Sequence, residues 1–211
     1  MESNLKIVTY NLRCGWYTGD GINSRIHRSG MIWEIVRSEK PDIISFQEVN
    51  KGENLDNLRD ILPGYDLYGS GRDGDFGGEG LYTAIRRETT ELIGLNIFWL
   101  SPKPYEPNAA MYPGQSGCPR ICVETLIRHK ATGKLIRVYN VHLDFSGALN
   151  VRAVQMQQIL DRMTENKKYY AAETVLLGDM NDKPHQNAIA CAKPPNDLPA
   201  TVKSEKSRSA R

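Results

Sequence analysis

With 211 residues, 40% of them hydrophobic and 25% charged, the chain has the make-up of one soluble globular domain, long enough for a sizeable core. The net charge of +2 is uneven: five basic and two acidic residues lie from Lys193 onward, so residues 1–192 carry −1. That body lacks the basic footprint of tight duplex binding, and no run approaches a membrane span. Met1-Glu2-Ser3-Asn4 does not open a secretory signal, which points to the cytoplasm.

In chain order, "LKIVTYN" (Leu5 to Asn11) is rich in β-formers and reads as a strand, followed by a polar loop, Arg13 to Asn23. Met31, Ile32, Ile35 and Val36 recur at helical spacing, and Lys40-Pro41 ends that helix because the residue before proline disfavours it. "DIISFQEV" (Asp42 to Val49) is a second strand, apolar enough to be covered on both faces. Further strands are predicted at Tyr65 to Tyr68, Gly80 to Arg86 and Leu92 to Trp99. A proline- and glycine-marked loop, Ser101 to Pro119, leads to "RICVETLIRH", and "KATGK" turns it into "LIRVYNVHLD" as a hairpin. Met156, Ile159, Leu160 and Met163 mark another helix, and "TVLLG" (Thr174 to Gly178) is the last strand. The four cysteines (Cys14, Cys118, Cys122, Cys191) form no C-x-x-C pair and read as reduced thiols; no Cys/His cluster offers a zinc site.

The two halves echo each other. "IVTYN", helix, "DIISFQE" resembles "IRVYN", helix, "TVLLGD", with Asn11 and Glu48 37 positions apart and His142 and Asp179 also 37 apart. Polar residues end an apolar strand in each copy, where open α/β sheets place their sites. Taken singly, each has a plain explanation: Asp179 and Asn181 as turn formers, Glu48 as a cap, His142 as a core histidine. Taken together on one rim, they suggest a sparse carboxylate set suited to Mg²⁺ rather than Ca²⁺ or Zn²⁺. His142 would donate to a phosphoryl oxygen or carry a proton, Asp179 would orient water, and Asn181 would bond phosphate oxygens.

Six stretches carry a family resemblance: "VTYNLR", "PDIISFQEV", "WLSPKP", "PRICV", "YNVHLD" and "LLGDMND", in order across about residues 4 to 185. Together they resemble the endonuclease/exonuclease/phosphatase superfamily, and more its bacterial phosphoester hydrolases than its DNA-repair nucleases. The resemblance implies an α/β fold, the DNase I-like sandwich of two packed β-sheets flanked by helices. It implies Asn11 and Glu48 at a Mg²⁺ or Mn²⁺ ion, His142 on the scissile phosphate, Asp179 aligning the water and Asn181 holding phosphate oxygens. Arg25, Arg28, Arg120 and Asp144 are candidate substrate contacts, with surface or strand-edge salt bridges as the alternative for the arginines. A family Gly-Glu-x-x-Ala-Ile stretch supplies a second acidic residue; here "GGEGLYTAI" sets Glu79 two positions early and Leu81 in its slot.

The family ends on a Ser-Asp-His strand, and these 211 residues contain no Asp-His dipeptide. His185 lies only four positions past Asn181, too near to substitute. Residues 1–185 therefore read as the domain lacking its last strands, with an open sheet edge, and 186–211 as a disordered tail. The expected function is metal-dependent hydrolysis of a phosphoester by in-line attack of water, slowed by the absent motif. The substrate would be a phosphorylated small molecule or a phosphodiester. A nuclease of the same fold, a non-catalytic metal- and phosphate-binding fragment and an unstable truncation product are the alternatives.

Overall fold

Strands and helices alternate nearly as the sequence pattern predicts. The computed structural model describes residues 5–14, 18–107, 110–146, 149–169 and 171–182; His185, Cys191 and the tail expected to be disordered lie outside the described residues. Within the described residues eight strands run β1 (Ile7–Asn11), β2 (Ile43–Asn50), β3 (Tyr65–Gly71), β4 (Glu79–Arg86), β5 (Thr90–Trp99), β6 (Ile121–His129), β7 (Leu135–His142) and β8 (Glu173–Asp179). Among the described residues three α-helices join them: α1 (Arg25–Glu39), α2 (Glu53–Ile61) and α3 (Leu149–Lys167).

Two four-stranded sheets result, ordered β1-β2-β4-β3 and β5-β6-β7-β8. Both are mixed, because β1 and β2 pair parallel across α1 and β7 and β8 pair parallel across α3, while the remaining neighbours are antiparallel. The repeat seen in the sequence is thus a βαβ unit in each sheet. Among the described residues β8 pairs on one side only.

Side-chain alternation sorts the core into layers. Ile43, Ile85, Ile127, Ile136 and Val138 face inward and pack between the sheets. Ile44, Phe46, Tyr82 and Ala84 face outward and meet Ile32 of α1 and Leu55 and Leu58 of α2. On the opposite outer face, Tyr139 and Val141 meet Met156, Ile159 and Met163 of α3. The result is a helix–sheet–sheet–helix sandwich, the DNase I-like α/β architecture that the motifs imply.

The helix around Met31 extends back to Arg25 and ends as expected: Lys40 takes the left-handed conformation, its N–H bonding Val36 O at 3.1 Å, and Pro41 follows. The expected loop from Arg13 to Asn23 contains a short 3₁₀ segment, Thr18–Asn23. Helix α2 has no counterpart in the sequence reading, although Leu55, Leu58 and Leu62 lie at helical spacing and are all buried.

Candidate active site

Inward-facing positions continue to the carboxyl ends of β1, β7 and β8, where Asn11, His142 and Asp179 follow Thr9, Asn140 and Leu177 two residues on. In the parallel pair β7–β8, His142 lies directly opposite Asp179, and their side chains approach to 3.9 Å between Nε2 and Oδ2. Gly178 allows the strands this closeness. A Cβ there would lie 1.9 Å from Val141 O, and its φ of +138° disfavours any other residue.

Strict alternation would send Glu48 the other way, toward the helices, since Gln47 faces inward. A β-bulge prevents this: the register of β2 with β4 slips between Phe46 and Val49, and Glu48 adopts φ +59°. The carboxylate turns onto the rim, accepting from Asn11 Nδ2 at 2.9 Å and from Cys14 N at 2.7 Å. A left-handed non-glycine residue is strained, and such strain collects at functional sites. Asn140 of the other sheet supports the bulge. Its Nδ2 donates to Phe46 O at 3.1 Å and Tyr82 O at 3.2 Å, the last regular pair before the slip, while its Oδ1 accepts from Gln47 Nε2 at 2.8 Å.

Asn11 binds both halves together. The same Nδ2 that donates to Glu48 donates to Asp179 Oδ2 at 3.0 Å, and its Oδ1 accepts Arg13 N at 2.7 Å. In this arrangement Asn11 organises two carboxylates, and only the second lone pair of Oδ1 remains for a cation. Asp179 Oδ1 accepts from Asn181 N at 2.9 Å, and Asn181 Nδ2 donates to Leu143 O at 2.9 Å. Asn11, Glu48, His142, Asp179 and Asn181 therefore occupy one rim.

Glu79 joins this group. Because strand side chains repeat every two residues, a glutamate two positions early keeps the inward face of Leu81 and moves about 7 Å toward the rim. It pairs with Arg72 Nη1 at 2.6 Å. One sulfur of Cys14 and one carboxylate oxygen each of Glu48 and Glu79 lie within 4.8 Å of one another. The sequence offered no cysteine-containing metal cluster, since Cys14 is brought in only by the turn after β1, where Arg13 has φ +63°.

The four substrate-contact candidates separate. Arg120 lines a small cleft with Arg72, Glu79 and His142. Its side chain is 3% exposed, and Nε makes no hydrogen bond but lies in a loose ion pair 3.7 Å from Asp144 Oδ2. Burial and the neighbouring Arg72 both weaken its hold on the proton. Asp144 is 0% exposed and anchors the 101–119 loop, accepting from Ser116 N at 3.2 Å, Ser116 Oγ and Ser146 N at 2.9 Å. Burial raises its pKa, but these bonds outweigh it and hold the carboxyl below the usual range. Arg28 is committed to main-chain carbonyls, Asn11 O at 2.7 Å and Asn23 O at 3.0 Å. The side chain of Arg25 lies outside the described residues. Burial, then Arg120, lowers the pKa of His142, with Asp179, Glu48 and Glu79 opposing.

No family model matches the sequence. An uncharacterized protein, L388, of Acanthamoeba polyphaga mimivirus is 24% identical over 183 residues, or 84% of this chain and 67% of that one. A Bacteroides vulgatus endonuclease/exonuclease/phosphatase is similar in structure, with a TM-score of 0.77 and 27% identity over 90% of this chain and 70% of its own. A Bacteroides thetaiotaomicron mannosyl-6-phosphatase is similar too, with a TM-score of 0.76 and 28% identity over the same shares. Sandwich and neighbours define a DNase I-like α/β protein. More narrowly, the chain belongs to the endonuclease/exonuclease/phosphatase superfamily.

Proposed function

We propose that the chain is a divalent-metal-dependent phosphoester hydrolase, an activity class its neighbours support. The observation that carries the reading is the approach of Glu48 and Glu79, with Asp179 tied to Glu48 through Asn11, on a rim that also holds Arg120, whose buried Nε makes no hydrogen bond. Carboxylate oxygens brought together in this way suit a divalent cation, and Mg²⁺ and Mn²⁺ are the first to assay. Glu48 would hold the ion, with Glu79 or the remaining lone pair of Asn11 Oδ1 beside it. Bound there, the ion supplies Lewis-acid polarisation of a phosphoryl oxygen.

The chain's own groups do the rest. Arg120 meets the charge of the phosphate, which would satisfy its idle Nε. His142, kept neutral by burial, donates to a phosphoryl oxygen or carries a proton. Asp179, held by Asn11 and by Asn181 N, accepts a proton from an attacking water and aims it. Asn181, freed from Leu143 O, would bond a non-bridging oxygen. The −1 charge of residues 1–192 disfavours long nucleic acids. A phosphorylated small molecule is the preferred substrate, and a sugar phosphate is the first to try, given the mannosyl-6-phosphatase neighbour.

A panel of phosphomonoesters and diesters, assayed with Mg²⁺, Mn²⁺ and chelator, tests the reading. The expected result is metal-dependent release of phosphate from small monoesters. Binding of Mg²⁺ and inorganic phosphate without turnover would instead identify a non-catalytic binding protein. Faster cleavage of oligonucleotides would identify a nuclease.

A further inference from the structure

The turn after β1 adds something that a purely oxygen-donor Mg²⁺ site does not need. Asn11 Oδ1 captures Arg13 N at 2.7 Å, Arg13 adopts φ +63°, and the chain reverses so that Cys14 N reaches Glu48 Oε2 at 2.7 Å. The backbone of Cys14 is thereby fixed to the rim carboxylate. Its sulfur sits within 4.8 Å of the ligand oxygens of both Glu48 and Glu79. Donors bonded to one tetrahedral ion at about 2.0–2.3 Å are separated by roughly 3–4 Å, so closure of the three side chains by about an ångström or less would place them around a single centre. Arg72 occupies one oxygen of Glu79 and leaves the other available.

We propose that Cys14 is a third protein donor to this cation site, and that the site takes zinc-class ions in preference to Mg²⁺. The proposal rests on the reading of the rim as a cation site. Mg²⁺ avoids sulfur, whereas Zn²⁺ and Cd²⁺ favour thiolate, and divalent affinity for mixed donors rises from Mn²⁺ toward Zn²⁺. One sulfur and two carboxylates leave a fourth position for water or a phosphate oxygen, the pattern of a catalytic rather than a closed structural zinc site. On binding, the Cys14 thiol releases its proton to solvent and the sulfur lone pair bonds the ion.

Cadmium titration of the whole chain tests this without substrate. Wild-type protein should develop the ultraviolet thiolate-to-cadmium charge-transfer band with one equivalent of Cd²⁺. Cys14→Ser should lose the band, and its Cd²⁺ affinity should fall by at least about tenfold, more than its Mg²⁺ affinity. Glu48→Gln should weaken Cd²⁺ binding as well, placing the sulfur and the carboxylate on one ion. Melting curves without metal verify that each variant folds, and Cys14→Ala serves if the serine variant does not. A band that persists without Cys14, carried by Cys118, Cys122 or Cys191, overturns the proposal, as does no band in the wild type. Phosphate release by wild-type protein with Mg²⁺ is read separately. Hydrolysis without the band retires Cys14 alone, whereas the band without hydrolysis upholds Cys14 and retires the phosphoesterase reading.

Discussion

The two βαβ units deliver polar residues to the same rim by different routes. In β7–α3–β8 the register runs unbroken to the end, and His142 faces Asp179 because the strands are regular. In β1–α1–β2 a bulge interrupts β2, and Glu48 reaches the rim only by taking a left-handed conformation. The regular unit places an imidazole and a carboxylate face to face, the pair proposed to handle protons. The irregular unit places a carboxylate where alternation forbids one, beside a second carboxylate and a thiol. The sequence repeat therefore specifies a shared scaffold, and under the proposed function the metal-ligating task would fall to the strained copy.

If that division holds, the two units fail differently when altered. Glu48→Gln should reduce turnover by at least about 10²-fold, as expected when charge stabilisation at the reacting centre is lost. It should also remove Mg²⁺-induced stabilisation, which is about 2.7 kcal/mol at 100 times the dissociation constant. His142→Ala should cost about 10²- to 10⁴-fold in turnover while Mg²⁺ still raises the melting temperature. Calorimetry on both variants decides it: equal Mg²⁺ affinity in Glu48→Gln and wild type contradicts the assignment. Loss of Mg²⁺ binding in His142→Ala would merge the two units into one.

A smaller effect should come from the joint between the units. Asn140, 0% exposed, satisfies Phe46 O, Tyr82 O and Gln47 Nε2 across the sheet interface. Asn140→Ala leaves those groups without it, at about 1–3 kcal/mol for each that stays unpaired. For a chain of this size each kcal/mol lowers the melting temperature by roughly 2–4 °C. Because Phe46 borders the bulge, Mg²⁺ affinity should fall along with stability. A destabilised variant with unchanged Mg²⁺ affinity would show that the bulge holds Glu48 without help from the second sheet.

What was legible in the sequence follows the same division. Regular features could be read: strand periodicity, the helix stop at Lys40-Pro41, and the paired spacing that becomes His142 opposite Asp179. The harder features depend on contacts between segments distant in sequence or on rare backbone states. Helix α2 was hidden because "ENLDNLRDI" is mostly polar, though its Leu55 and Leu58 are sufficient for one buried face. Glu79 looked displaced from its slot, yet a shift of two along a strand preserves the face and only changes the depth. Cys14 gave no signal at all, since its approach depends on the left-handed Arg13 and on a hydrogen bond to the re-aimed Glu48. Asp144, a candidate substrate contact by motif, proves to be committed to Ser116 and Ser146, a pairing that spacing alone does not disclose.

The smallest expected effect tests the regular unit through pH. Burial lowers the pKa of His142 below its ordinary 6.5, Arg120 adds to this, and Asp179, Glu48 and Glu79 oppose it without reversing it. The folded chain therefore keeps this imidazole neutral where the unfolded chain has begun to protonate it. With more protons bound in the unfolded state, stability rises with pH across that interval. The contribution is fully present above 6.5 and is lost progressively as pH falls from there toward the folded-state value. His142→Gln removes the imidazole and keeps a neutral polar side chain. Melting temperatures followed from about pH 7.5 to 5.5 should fall more steeply for wild type than for His142→Gln. Parallel curves would mean that His142 is as easily protonated in the fold as out of it, and burial would then not be what keeps the imidazole assigned to the phosphate neutral.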